Sequence, residues 1–268
     1  VIGSAASAVQ FIPEIAKEAE QVYLFQRTAN WVMPKDDDPH TEEILQVLRN
    51  DPTAATSMRD MIYEGVDGGL TFSDPIAVGE LEDSCLASME VIEDLELREK
   101  MKPQHPFGCK RPLLSNDYYP AFNRPNLELV TDPISRVSSD SIMTEDGKSR
   151  QIDTLIIATG FSTTKYLSAI AVTGRDELPI EEAWSDGAQA YLGITVSGFP
   201  NLFMLYGPNT NNGSILSMIE YQVDYSLRQI KRLAEEELSW VDVRPDAMDE
   251  YNDRIQTAIQ GVKAWQAN

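Results

Sequence analysis

Apolar side chains near the start of the chain recur at helical spacing. Val9, Phe11-Ile12 and Ile15-Ala16 fall on one face, which predicts an amphipathic helix. A loop of small residues, Gly3-Ser4-Ala5-Ala6-Ser7-Ala8, precedes this stretch, with only Val1-Ile2 before it. The short apolar run Val22-Tyr23-Leu24-Phe25 follows and has the composition of a buried strand, ending in Gln26-Arg27-Thr28. Strand end, glycine turn, helix and strand in this order read as a β-turn-α-β dinucleotide unit entered at the last residues of its first strand. The expectation is a nucleotide ligand and a chain that is a piece of a longer protein.

From Thr41 to Met101 the pattern turns helical and acidic, with breaks expected at Asp51-Pro52, Gly65 and Gly68-Gly69. This stretch reads as a helical insertion. A loop of turn formers, Pro103 to Pro112, leads on to Tyr118 and a strand at Leu127–Val130. A hairpin is expected from Ile134–Met143 and Ser149–Ile152 around the turn Glu145-Asp146-Gly147-Lys148. Asp153-Thr154-Leu155-Ile156-Ile157-Ala158 is a continuous apolar run of the kind buried on both faces of a parallel sheet, stopping at Thr159-Gly160-Phe161. Leu202–Tyr206 is a second such run, followed by Gly207-Pro208-Asn209-Thr210 and the polar Asn211-Asn212. Ile215, Ile219, Val223, Leu227 and Ile230 predict a helix with one apolar face. A last helix is expected from Pro245, with Met248, Tyr251, Ile255 and Ala258 or Ile259 facing inward.

The formal charge of −21, from 43 acidic and 22 basic residues in 268, repels nucleic acid and anionic membrane, and neither is expected as a partner. Acidic residues gather at Asp36-Asp37-Asp38, from Glu80 to Glu99 and at Glu235-Glu236-Glu237, which read as solvated faces. No run reaches the length of a membrane span. Two cysteines and two histidines offer no ligand cluster for a metal and fit a reducing cytoplasm.

In so acidic a chain an anionic cofactor needs local cations, and three stand out. The end of the second strand of a dinucleotide unit is where the ribose is read. Arg27 and Thr28 there supply a fixed cation and a hydroxyl suited to a 2′-phosphate, favouring NADP(H) over NAD(H). Lys110 and Arg111, within Phe107-Gly108-Cys109-Lys110-Arg111-Pro112, are the other two. On spacing alone, solvated loop charges account for that pair equally well. Gly3 allows the tight turn, the small Ala5 and Ala8 let backbone and helix come close so that the helix N-terminal amides can hold a pyrophosphate, and Ala5 stands where a second glycine is usual.

Together these motifs resemble the flavoprotein monooxygenases with two dinucleotide-binding domains, most closely type I Baeyer–Villiger monooxygenases. The resemblance runs in order along nearly the whole chain: the glycine loop, Gln26-Arg27-Thr28, Trp31-Val32-Met33-Pro34, Gly108-Cys109-Lys110-Arg111 with Tyr118-Tyr119, Ala158-Thr159-Gly160-Phe161, and Gly207-Pro208-Asn209-Thr210. It implies an α/β fold: a Rossmann-like NADP(H)-binding domain over residues 1–155 with a helical insertion at about 40–105, and the C-terminal portion of an FAD-binding domain over 156–268. It assigns Gly3, Ser4, Ala5, Ala6, Ser7, Gln10, Arg27, Thr28 and Lys110 to NADP(H), and Ala158, Thr159, Gly160, Asn209 and Thr210 to cofactor binding beside the flavin. Arg111 becomes the catalytic arginine, because a guanidinium keeps its charge beside a developing oxyanion.

The implied chemistry is reduction of FAD by NADPH, formation of a flavin peroxide with O2, and insertion of one oxygen beside a ketone carbonyl to give an ester or lactone. The first, FAD-binding glycine motif is absent from these residues, so an N-terminal FAD-domain segment is expected to be missing. The chain alone is then expected to hold FAD poorly and to turn over slowly or not at all. Two further readings stay open: a nitrogen- or sulfur-oxidising flavin monooxygenase, and a non-catalytic nucleotide-binding remnant. A disulfide reductase is disfavoured by the lack of a Cys-x-x-Cys pair.

Overall fold

The computed structural model describes residues 1–35, 37–70, 72, 74–163, 165–210 and 213–267, with side chains for all of these except 66–70, 263 and 267. The polar pair expected at 211 and 212 and the acid at 36 lie outside the described residues. The chain divides into two compact units, one of residues 1–39, 74–161 and 266–268, the other of residues 40–73 and 162–265.

In the first unit, the helix α1 (Ala6–Glu18) buries Ala8, Val9, Ile12, Pro13 and Ala16, the face that the spacing predicts. The strand β1 (Val22–Phe25) follows. Alternation along β1 sends Val22 and Leu24 into the core under α1, while Tyr23 and Phe25 point to a second core on the opposite face. β2 (Val32–Met33) comes next. The helices α2 (Glu42–Asn50) and α3 (Ala54–Leu70) belong to the other unit. Asp51 ends α2 as expected, but Gly65 and Gly68-Gly69 lie inside α3. Glycine in a helix interior costs only about 1 kcal/mol, too little by itself to end a helix.

The first unit resumes with α4 (Pro75–Ser88), begun by an Asp74 side chain that caps the Ile76 amide at 2.9 Å, and α5 (Leu95–Lys100), capped by Asp94. β3 (Leu113–Leu114) pairs in parallel with β2. The short helix α6 (Tyr118–Ala121) presses both tyrosines into the main core. β4 (Leu127–Val130) pairs in parallel with β1, Val22 opposite Leu127 and Phe25 opposite Val130.

β5 (Ile134–Val137), β6 (Ser141–Thr144) and β7 (Ser149–Gln151) form a three-stranded antiparallel sheet. The expected first arm of the hairpin is therefore two strands. The chain reverses at Ser138-Ser139-Asp140, where the Ser138 hydroxyl bonds to the Ser141 amide and carbonyl. This sheet covers the second face of β1 and β4 through Phe25, Val130 and Ile142. Arg150 of β7 reaches Glu128 of β4 at 2.6 Å and the Thr144 hydroxyl at 3.1 Å.

The 153–158 run departs from expectation. It lies parallel to residue 2, through Ile2 N–H to the Ile156 carbonyl at 2.9 Å and Ala158 N–H to the Ile2 carbonyl at 2.8 Å. It is a single bridge, Ile2 with Ile157, and is not buried on both faces: Ile157 is 69% exposed and Phe161 94%.

In the second unit, α7 (Ile180–Ala183), α8 (Ile215–Glu235) and α9 (Pro245–Gln260) accompany a core of Ile180, Ala190, Val196, Phe199 and Met204. Leu202–Tyr206 is not a strand. Its backbone is satisfied piecemeal, by Met204 N–H to the Ile194 carbonyl at 2.8 Å and Tyr206 N–H to the Gln222 amide oxygen at 2.7 Å. α8 follows the expectation at Ile215, Ile219 and Val223, which are half-buried, and departs from it further along. Ser217, Gln222 and Ser226 are buried, whereas Leu227 is 56% exposed and Ile230 is exposed too. Gln222 explains the choice, since its side chain also donates to the Leu192 carbonyl at 3.3 Å and so serves two loops that lack strand partners. Met248, Tyr251, Ile255 and Ile259 of α9 are half-buried, around a buried Asn252 that donates to the Met248 carbonyl at 2.8 Å.

Candidate functional site

At the carboxyl end of β1 the chain opens a cleft of about 380 Å³. It is lined on one side by Gly3, Ser4 and Ala5, on the next by Arg27, Thr28 and Asn30, and on the others by Lys110 and by Ala158-Thr159. All of these residues belong to the first unit. Residues 24 sequence positions apart, Ser4 and Thr28, thus meet a loop some 80 positions further on.

Gly3 makes the meeting possible. Its φ is +104°, and a Cβ at that position would lie 2.3 Å from the Ala158 carbonyl oxygen. Only glycine allows both the backbone angle and the approach of the 153–158 run. Ala5 follows as the residue before α1, and no side chain caps the helix there. The start of α1 adjoins the cleft through Ala5, and the dipole of a helix favours an anion at that end.

The cations complete the electrostatics. Arg27 and Lys110 are exposed at the cleft and make no ion pair with any described residue. In a chain of net charge −21, two unpaired cations converging on one cleft with an uncapped helix start make a local field of the opposite sign. Arg111 is exposed beside Lys110 but does not line the cleft.

Other expected residues are not among those that line it. Ala6 and Ser7 are exposed on the first turn of α1 without lining the cleft, and Gln10 donates to the Ala6 carbonyl at 2.9 Å. Gly160 has a φ of +90° with open space around it. Asn209 and Thr210 belong to the second unit. The Thr210 side chain is buried, its hydroxyl donating to the Gly207 carbonyl at 2.5 Å, and Asn209 reaches Asn252 at 3.5 Å.

Ile2, Phe25 and Asn30 line the cleft without a counterpart among the expected residues, and Asn30 is the polar one of the three. The Asn30 side-chain amide donates to the Ser4 carbonyl at 2.9 Å and to its hydroxyl at 3.3 Å, and the Ser4 hydroxyl reaches the Thr28 carbonyl at 3.4 Å. The available signal was an asparagine just past a strand end, a position where Asn side chains bond to nearby backbone. Among the described residues no group of three His, Cys, Asp or Glu side chains could hold a metal ion, and no helix is long and apolar enough to cross a membrane.

No protein-family model matches the chain. Curated relatives do. A Baeyer–Villiger monooxygenase of Pseudomonas aeruginosa is 35% identical over 99% of this chain and 53% of its own length. A Baeyer–Villiger monooxygenase of Streptomyces coelicolor is 35% identical over 97% of this chain and 51% of its own. The chain thus spans about half the length of these relatives. Among solved structures, OTEMO in complex with FAD and NADP superimposes with a TM-score of 0.83 at 28% identity, covering all of this chain and 57% of that one.

Proposed function

We infer, for a chain that fits a fragment of the Baeyer–Villiger monooxygenase family, a part in NADPH- and FAD-dependent oxygenation: it is the portion that grips NADPH. The observation that carries this reading is the cleft in which Gly3, Ser4, Arg27, Thr28 and Lys110 converge. The start of α1 holds the pyrophosphate through its free amides, as in other dinucleotide sites. Arg27, Thr28 and Lys110 hold the 2′-phosphate, each cation adding a charge-assisted hydrogen bond worth about 1.5–3 kcal/mol.

Residues 1–155 are then a Rossmann-like NADP(H)-binding domain with a helical insertion at about 40–105, and 156–268 the C-terminal portion of an FAD-binding domain. The parallel alignment of residue 2 with β1 supports the Rossmann-like reading of the first part, since the glycine turn then lies at the carboxyl edge of parallel strands, and residue 157 pairs there too, so the 156–161 stretch packs with that first unit. Bound FAD would supply the redox chemistry of the whole protein, two-electron transfer from NADPH and activation of O2, with one oxygen going beside a ketone carbonyl and the other leaving as water. Arg111, exposed next to the cleft rather than in it, is free to hold a developing oxyanion with a charge that it cannot lose. Neither cysteine is in a disulfide, which suits a cytoplasmic protein.

Fluorescence titration of the purified chain with NADPH, first without and then with FAD, tests the reading. Saturable one-to-one NADPH binding that does not require FAD is expected. Absence of saturable binding in both arms would remove the basis for it.

A further inference from the structure

The loop that carries Lys110 and Arg111 is fastened at both ends to one residue. The Trp31 indole N–H donates to the His105 carbonyl at 2.9 Å, and the Trp31 carbonyl accepts the Leu113 amide at 2.9 Å. Between these two points the Trp31 ring meets the Phe107 ring edge-on, with centroids 5.7 Å apart. Trp31 is buried, so these bonds form away from competing water. Its neighbour Asn30 faces the other way and fixes the Ser4 carbonyl of the glycine turn. Two consecutive residues thus hold the two halves of the cleft, each by side-chain hydrogen bonds to backbone. The β2–β3 pairing continues directly from Trp31 and Leu113, which leaves the pair no slack.

We propose that Asn30-Trp31 is a positioning brace that sets the separation between the pyrophosphate and the 2′-phosphate subsites. Asn30 positions the former and Trp31 the latter. This rests on the NADPH reading above and deepens it by naming a residue, Trp31, that sets the preference for the 2′-phosphate through the loop it holds, beside one, Asn30, that sets the strength of binding common to both nucleotides. The two arms act on different parts of the ligand. NADPH and NADH share the pyrophosphate, so loosening the glycine turn weakens both alike. Only NADPH has the 2′-phosphate, so loosening the Lys110 loop weakens NADPH alone.

Calorimetric Kd values for NADPH and NADH in Asn30→Ala and Trp31→Phe, with amide exchange of residues 105–113 measured without ligand, test the brace. Trp31→Phe keeps the ring and loses the donor. It is expected to lower the NADPH-over-NADH preference by about fivefold, the worth of one hydrogen bond, and to speed exchange across 105–113. Asn30→Ala is expected to weaken both ligands by similar factors and leave the preference unchanged. A preference unaltered by Trp31→Phe, or altered equally by both variants, overturns the brace while leaving the NADPH site standing. If the parent chain binds neither nucleotide, the NADPH reading fails, and exchange alone decides: protection of 105–113 retained in Trp31→Phe contradicts the positioning role. Should Trp31→Phe not fold, Phe107→Leu, which removes the ring contact, must show the same fall in preference and the same faster exchange, and unchanged values in it contradict the proposal.

Discussion

Gly3 and Ala158 approach so closely that a single added Cβ at position 3 would stand 2.3 Å from the Ala158 carbonyl oxygen. The glycine turn and the 153–158 run are therefore fitted to each other as backbones. Gly3→Ala adds both this clash and a non-glycine residue at φ +104°, and it is expected to cost about 2–4 kcal/mol. Thermal unfolding should show a fall in Tm of at least several degrees. An unchanged Tm would mean that the two segments can separate without loss.

Lys110 and Arg111 are adjacent in sequence and unequal in place, because only Lys110 lines the cleft. Lys110→Ala is expected to weaken NADPH binding about tenfold or more, and Arg111→Ala by less than about twofold. Equal losses in equilibrium binding would put both side chains on the nucleotide.

Arg150 joins the two layers of the first unit. It is nearly buried, pairs with Glu128, and lies 5.9 Å from the centre of the Tyr23 ring. Arg150→Ala leaves the half-exposed Glu128 without its partner and removes one of the bonds at the buried Thr144 hydroxyl, which still donates to Asp146, at an expected cost of about 1–3 kcal/mol. Glu128→Gln retains an acceptor and should cost less. Urea unfolding of the two variants checks the order, and a larger loss in Glu128→Gln would contradict it.

Burial pushes the Cys85 thiol up to about 12, whereas an unfolded thiol ionises near ~8.5. The folded chain keeps a proton that the unfolded chain gives up, so stability falls as pH rises from about 8.5 towards 12. Burial raises the Tyr118 and Tyr119 hydroxyls as well, and they add to the same slope above about pH 10. Urea midpoints from pH 7 to 10 should therefore decline, and Cys85→Ala should flatten the decline between about pH 8.5 and 10. An identical slope in the variant would show that the thiol takes no part.

The first unit was largely readable from sequence, since its signals are local. α1 shows its buried face through Val9, Ile12 and Ala16, and β1 and β4 are apolar runs that pair with each other. The family resemblance drawn from Gly108-Cys109-Lys110-Arg111 with Tyr118-Tyr119 agrees with the relatives found. The cleft itself was partly legible: Arg27, Thr28 and Lys110 line it, and Gly160 does not. Asn30 escaped notice because its role is to hold backbone, which leaves no pattern of charge or spacing. α8 was misread for a different reason. Periodicity tells which residues share a face, but not which face the rest of the chain covers, and Gln222 is drawn inward by loop backbone that only the folded structure reveals.

The central claim is that a cation cluster in this cleft recognises a 2′-phosphate. Isothermal titration of the purified chain with NADPH and with NADH, side by side at one ionic strength, tests it most directly. The expected result is NADPH bound more tightly by about 100-fold or more, the worth of two charge-assisted contacts. Equal affinity for the two nucleotides would contradict it.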